Sequence, residues 1–389
     1  MFAGLVDLSF WGYAAVALAL THVTIASVTI YLHRHQAHRA LSLSPVASHF
    51  FRFWLWLTTG MITREWIAVH RKHHAKCETP DDPHSPQVYG IWRVLFAGVR
   101  LYQTEALDRT TLEVYGRGAP DDWIERKLYT KHRHLGIVLM LAVDIALFGL
   151  AGLAIYAVQM AWIPFWAAGV INGVGHYLGY RNFETHDASR NIVPFGILIG
   201  GEELHNNHHA YQYSARLSNK WWELDVGWLY IRILEALRLA TVKRQAPRTM
   251  FASDKKGVDI ETVQAIIAGR FHVLKLYGRR VIGPVLREQL AGAHRGQLAR
   301  LRRLMVRDHP AAADPDARQW LEEMLGHHKA LQTVYHFKQR LAALTGQSEK
   351  TDIDRLTRLQ AWCAEAEESG IRALKEFARQ LRGYTLQPA

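Results

Sequence analysis

Apolar residues gather in long runs between about residues 11 and 180, then give way to a helical periodicity after about residue 250. Trp11 to Leu32 contains no Asp, Glu, Lys or Arg. At about 1.5 Å per residue, a run of this length matches the hydrocarbon core of a bilayer. The pattern predicts a membrane helix, retained rather than cleaved, because no basic segment precedes it and it leads straight into a polar motif. His22 inside it reads as a packed residue. Pro45 to Trp66 is apolar and aromatic, but Arg52 and Arg64 interrupt it, which suits a segment that dips into the membrane or lies along its surface. Ala75 to Pro86 reads as a turn-rich loop, Ile91 to Tyr102 as a short interfacial helix, and Asp108 to His134 as water-facing. Leu135 to Met160 and Ala161 to Tyr180 read as two further spans with a junction near Val158–Trp162. That junction has no Lys or Arg, whereas residues 34–133 are rich in both, so the junction is expected outside and the polar motifs in the cytoplasm. Asp144 lies inside a span with no evident role.

Beyond about Met250 no apolar run is long enough to cross a bilayer. Ile353, Leu356 and Leu359, and later Leu374, Phe377 and Leu381, recur at helical spacing. The expected architecture is all-α. A helical integral membrane domain over residues 1–249 carries a cytoplasmic site, and a soluble helical segment follows over 250–389. Mean hydropathy is only −0.10 despite 49% hydrophobic residues, as expected when a membrane part and a hydrophilic part are averaged. The net charge of +12 fits a positive cytoplasmic side. Between Arg270 and Arg307 there are ten basic residues and one acidic, a run that reads as a solvated or membrane-facing surface, with nucleic acid as the sharper alternative.

The polar motifs are rich in histidine. They are His33-Arg-His-Gln-Ala-His38, His70-Arg-Lys-His73-His74 and His205-Asn-Asn-His208-His209. Positions three and four apart share a helix face, so each H-x-x-H-H group aims three imidazoles at one point. Two distant cysteines, Cys77 and Cys363, exclude a disulfide framework, a thiolate zinc site and an iron–sulfur cluster. Eight box histidines exceed what one metal needs and suit two ions, each with an open or water-filled position. Such nitrogen ligands accept Fe, Cu or Zn. To meet at one site, the first two boxes must lie on one side of the membrane, which is why Pro45–Trp66 is not read as a crossing. A hydrolase could use zinc there; an oxidase acting on buried hydrocarbon needs a redox metal and dioxygen. The chain shows no dinucleotide glycine pattern and no haem-attachment motif, so electrons would come from a separate partner. Asn172 and His176, four apart at the end of the last span, are open at this point between a ligand role and helix–helix hydrogen bonding.

The order and context of these motifs resemble the membrane-bound, three-histidine-box fatty-acid desaturases of the acyl-CoA and acyl-lipid Δ9 type. The likeness is carried by EWIAVHRKHHAKCETPDDPHSP, by HYLGYRNFETHDASRN before the third box, and by GEELHNNHHAYQYSAR followed by Trp221-Trp222, and covers about residues 10 to 245. The resemblance implies a non-haem centre of two iron ions, O2 as co-substrate, and insertion of a cis double bond into a saturated acyl chain on CoA or phospholipid. It implies an external donor of ferredoxin, rubredoxin or cytochrome b5 type with its reductase, and residence in a bacterial inner membrane with the site facing the cytoplasm. It assigns metal-ligand roles to His33, His38, His70, His73, His74, His205, His208 and His209, adds His176 as a ninth ligand, and gives Asn172 a metal-bound water. No catalytic residue beyond these ligands is implied. His35 is left out, and His84 is expected to support structure or hydrogen-bond a ligand. Many acyl-CoA desaturases have two spans before the first box; here there is room for one. Trp54, Trp56, Phe165 and Trp166 are candidates to line an acyl channel, and Arg71, Lys72, Arg100 and Arg181 to anchor a headgroup.

The tail has a separate, short resemblance. TVYHFKQRLAAL and SGIRALKEFARQLR are similar to the C-terminal helical part of an insertion-sequence transposase family. No catalytic carboxylate set can be assigned there, so this segment is expected to be a docking or structural module, and no nucleic-acid partner is expected. The alternative function is a histidine-box hydroxylase or oxygenase acting on alkyl, sterol or carotenoid carbon. A nonenzymatic metal- or nucleic-acid-binding protein is a third.

Overall fold

The structure, a computed structural model, describes residues 4–247, 249–252, 255, 257–306, 315–346 and 351–386. Arg307, which closes the basic run, lies outside them. The chain is mostly helical, with three short two-stranded pairings among the described residues. It divides into two compact units: Met1–Arg181 with Asp187–Ala246, and Asn182–His186 with Pro247–Ala389.

In the first unit, helix α1 (Phe10–Ala26) is capped by Ser9 and runs on as a π-helix over Ser27–Ala37. The chain then turns through Leu41–Leu43, paired antiparallel with Ala240–Val242, into α2 (Pro45–Thr58). Ser44 caps α2, Pro45 occupies its first turn, and the helix breaks at Thr59–Ile62 before α3 (Thr63–Lys76) carries the second box. Fourteen residues reach about 21 Å, too short to cross a bilayer. Helix α4 is Ile91–Glu105, and α5 (Arg133–Phe148) and α6 (Leu150–Ile163, continuing as a π-helix over Pro164–Val174) form a hairpin.

The hairpin turns at Gly149, not near Val158–Trp162 as the hydropathy suggested. Gly149 has φ 59° and ψ −134°, a conformation closed to most side chains. Gly152 then brings the two backbones together; a Cβ there would stand 2.1 Å from the Asp144 carbonyl oxygen. An apolar turn is invisible to hydropathy, and its signal was the glycine. Asp144, buried, accepts a hydrogen bond from Gln159 Nε2 at 2.9 Å across this hairpin. His22 is packed, as expected, 2.6 Å from the Tyr230 hydroxyl. Phe10–Ala37 and Leu150–Val174 are long and apolar enough to cross a membrane. Helix α5 buries Gly136, Met140, Asp144 and Phe148, yet exposes Leu135, Val138, Leu139 and Val143 on its other face.

The second unit has its own core. Trp362, Tyr277, Phe377 and Phe337 meet edge to face, and the polar tips of Trp362 and Tyr277 reach the carbonyls of Phe337 and Val334 at 2.9 and 2.7 Å. Leu359, Leu374, Phe377 and Leu381 are buried as their spacing indicated; Ile353, in the first turn of its helix, is 68% exposed.

Candidate metal centre

The first box depends on the π-helix. In an α-helix, residues five apart point about 140° away from each other. The i→i+5 hydrogen bond of a π-helix aligns them instead. The His38 amide donates to the His33 carbonyl at 3.0 Å, and the two imidazoles lie 4.8 Å apart. Helix α3 presents His70 and His74 on one face, with His70 stacked on Trp66 at 4.8 Å. The short helix α7 (His205–Ala210) supplies the third box.

These elements bring the imidazoles into two adjoining groups. The ring nitrogens of His33, His38, His70, His74 and His208 all lie within 4.8 Å of one another. Neighbouring Nε2 atoms are close: His38–His70 2.8 Å, His70–His74 3.1 Å, His74–His208 2.8 Å and His208–His33 3.1 Å. The second group holds His73, His176 and His209, with Cys77 beside His176 Nδ1 at 3.9 Å. His205 joins it through Nε2, 3.0 Å from His176 Nε2; Gly175 leaves room for the His205 ring. The groups meet where His74 and His209 rings stand 4.4 Å apart. Asn172 lies on the π-helix before His176 and lines a cavity that also touches His70 and His205. All ten residues singled out from the sequence thus sit in one region.

Carboxylates behind the rings were not ranked from sequence. Glu202 faces His33 Nδ1 at 2.8 Å, Asp82 faces His73 Nδ1 at 3.0 Å, Asp187 faces His209 Nδ1 at 2.8 Å, and Glu78 faces His176 Nδ1 at 3.4 Å. Such partners hold the proton on Nδ1 and turn the Nε2 lone pair inward. Their signal was present in the flanks of the boxes, in DDPHSP, ETHDASRN and GEELHNNHH. Arg34, between two box histidines, was also missed. It is buried, pairs with Asp225 at 2.9 and 3.2 Å, and donates to the carbonyls of Ala215 and Gly200. It thereby ties the first-box helix to the third-box loop.

The donor set fits metal ions. With Nδ1 protonated on the carboxylate side, the inward Nε2 atoms of His33, His73 and His209 are bare. Those of His73 and His209 are buried with no hydrogen-bond partner. Bare nitrogens about 3 Å apart repel unless a cation lies between them. Around an ion with bonds of about 2.1 Å, ligands at right angles stand about 3.0 Å apart, close to the 2.8–3.1 Å between neighbouring Nε2 atoms here. Burial, followed by the charge of neighbouring imidazoles, pushes His38, His70, His74, His205 and His208 well below the ordinary imidazole value, and His209 falls to about 4 through burial. All are therefore neutral, the form that binds metal. His73 alone rises; burial opposes this, but the charge and hydrogen bond of Asp82 outweigh it.

Other candidates fall elsewhere. His35 turns to the Leu41 carbonyl at 3.0 Å. His84 stacks on His73 at 4.4 Å, and its backbone amide donates to Asp82. Trp54 and Trp56 donate to Thr24 and to the His132 carbonyl, and neither they nor Phe165 and Trp166 line the cavity beside the centre. Its aromatic walls are Trp66 and Tyr102. Arg71 binds four backbone carbonyls, Lys72 pairs with Glu105, and Arg181 donates to the Asp187 and Ser189 carbonyls; Arg100 is exposed.

Residues 9–248 match the model of the fatty acid desaturase family, and residues 255–387 match a transposase family model. The sn-1 stearoyl-lipid 9-desaturase of Synechocystis sp. is 30% identical over 250 residues, 63% of this chain and 76% of that protein. Delta-9 acyl-lipid desaturase 1 of Arabidopsis thaliana is 30% identical over 245 residues, 59% of this chain and 75% of the relative. The acyl-CoA 5-desaturase AL21 of Anemone leveillei is 31% identical over 245 residues, 59% of this chain and 72% of the relative. With the family model covering more than half of its length, and a histidine-lined centre within that stretch, the chain belongs to the fatty acid desaturase family.

Proposed function

We propose that this enzyme is an O2-dependent acyl desaturase that inserts a cis double bond, at the Δ9 position, into a saturated chain carried on a lipid or on CoA. The observation that carries this is the gathering of nine imidazoles and Asn172 into two adjoining groups against a cavity of about 220 Å³. Two iron ions are assigned, one to His33, His38, His70, His74 and His208, the other to His73, His176, His205 and His209 with a water on Asn172. When bound, they supply the redox chemistry that activates O2 toward an unactivated carbon.

The reaction balances as the saturated chain, O2, two electrons and two protons giving the alkene and two waters. The electrons come from an external iron–sulfur or cytochrome donor. Glu202, Asp82, Asp187 and Glu78 orient the ligand rings. The cavity holds the chain, and its walls, including Val28, Met61, Trp66 and Ile171, exclude water and fix which methylene pair faces the centre. Burial holds His38, His70, His74, His205, His208 and His209 in the neutral form that binds metal.

Residues 1–249 are read as the membrane-bound desaturase domain and 250–389 as a soluble helical segment. The exposed apolar face of α5 supports lipid contact, since a water-facing helix would be polar there. A bacterial inner-membrane location is read from the family resemblance, and the basic 34–133 region supports a centre that faces the cytoplasm. Among the described residues, the converging His, Cys and acidic groups all lie between His33 and His209, so no transposase chemistry is assigned to the tail.

The test is a fatty-acid profile by gas chromatography–mass spectrometry of a desaturase-lacking host expressing the chain beside His208→Ala. A monounsaturated product present in the first and absent in the second, with both proteins in the membrane, is expected. A hydroxylated product would replace this reading with an oxygenase. Full activity in His208→Ala would overturn the site assignment.

A further inference from the structure

The cavity beside the centre is lined by side chains that reach the surface and by side chains that do not. Gln103 is exposed and the Arg133 side chain is 36% exposed, whereas Gln159 is 1% exposed. One stripe of α6 and its π-helical continuation lines it, from Asn172 back through Ala168, Pro164 and Ile163 to Gln159. Asn172 and Gln159 are thirteen positions apart, at most about 20 Å along the helix. The wall is apolar for most of that length, and then meets an amide. That amide is pinned: Gln159 Nε2 donates to Asp144 Oδ2 at 2.9 Å, while Gln159 Oε1 and Asp144 Oδ1 are buried without partners.

We propose that Gln159, held by Asp144, forms the blind end of the acyl channel and sets how many carbons fit beyond the reacting methylenes. The proposal rests on the acyl-desaturase reading and adds the residue that measures the chain. An alkyl end pushed past this point would part the amide from the carboxylate and leave both unpaired in apolar surroundings, which is more unfavourable than stopping short. Asp144 acts through Gln159 and is a positioning residue. The polar pair that interrupts an otherwise apolar hairpin thereby acquires a role.

The experiment compares wild type, Gln159→Leu, Gln159→Asn and Gln159→Trp against a ladder of saturated phospholipids differing by two carbons. Product profiles in the host are read beside thermal stabilisation of the purified proteins by the same lipids in detergent. Gln159→Asn retracts the amide by one methylene and keeps its polarity, so it serves if Gln159→Leu fails to fold. Expected is a rise of roughly tenfold in product from the next longer chain for Leu and Asn, and a shift to shorter chains for Trp. The stabilisation order should move in the same direction, and the double bond should stay at the same distance from the carboxyl end. An unchanged length order in the folded variants overturns the proposal. So does a displaced double bond with unchanged length preference. If wild type yields no alkene while the stabilisation order still follows residue 159, the desaturase reading fails and the channel end stands.

Discussion

At the scale of single residues, four rings of the histidine cluster, His33, His73, His176 and His209, have Nδ1 facing a carboxylate. Asp187 shows the consequence most directly. It stands 2.8 Å from His209 Nδ1, and the His209, His176 and Ser189 contacts hold its carboxyl well below the usual range against the opposing effect of burial. Asp187→Asn keeps the shape and removes the charge that fixes the ring. Metal affinity in a chelator competition should fall about 10- to 100-fold with the fold intact; unchanged affinity would deny these carboxylates their orienting part. Acid acts on the same rings. His209 in the fold has a pKa of about 4 against an ordinary 6.5. Between those values the unfolded chain takes up a proton that the folded chain refuses, so stability rises with pH in that window. The metal-free protein should therefore lose melting temperature as pH falls from about 6.5 toward about 4. A melting temperature constant over that range would contradict the neutral, buried state. The histidines themselves were legible in sequence because their spacing is chemical; the carboxylates behind them were not, because an acidic residue in a polar loop is ordinarily a solvated one.

At the scale of elements, two departures from hydropathy shape the site. The five-residue spacing of His33 and His38 makes no sense on an α-helix and full sense on a π-helix, so the first box carried its own structural signal, which face-sharing rules for α-helices do not read. The α5–α6 hairpin turns at Gly149 because that residue accepts φ 59°, whereas apolar run length placed the turn about ten residues later. The Arg34–Asp225 pair is a third element-level device, since it fastens the first-box helix to the loop bearing the third box. Gly201 and Gly227 leave the slot it needs; a Cβ at either would stand 2.7 Å from the Arg34 guanidinium. Breaking a buried pair leaves an uncompensated charge, so Asp225→Asn should destabilise the first unit by about 3–5 kcal/mol. Replacing both partners by apolar residues of similar volume, Arg34→Met with Asp225→Leu, should recover much of that. Melting in detergent checks both, and equal loss in the single and double variants would show that the pair's separate bonds to Ala215, Gly200 and Leu217 matter more than its charge.

At the scale of the whole molecule, chemistry and periodicity separate along the chain. Every converging cluster of metal-binding side chains among the described residues lies between His33 and His209. The helices after Pro247 instead build a core of their own around Trp362, buried completely, and Tyr277. One exposed face is basic: Arg295, Arg302 and Arg303 share a face of the helix Arg295–Val306, which buries Leu301 and Met305. That periodicity was readable in sequence because a soluble amphipathic helix needs one buried stripe; its partner was not, because a basic face attracts any anionic surface alike. On the proposed ligand assignment, the segment after about residue 249 supplies no ligand to the centre. A chain ending near residue 249 should therefore still bind metal and still yield alkene, with turnover reduced less than in His208→Ala. The comparison is made in the same host, with membrane-inserted protein quantified for each chain. Complete loss of product from a truncated chain that is inserted and metal-loaded would show instead that the tail acts in turnover itself, through the electron donor or the substrate-bearing membrane.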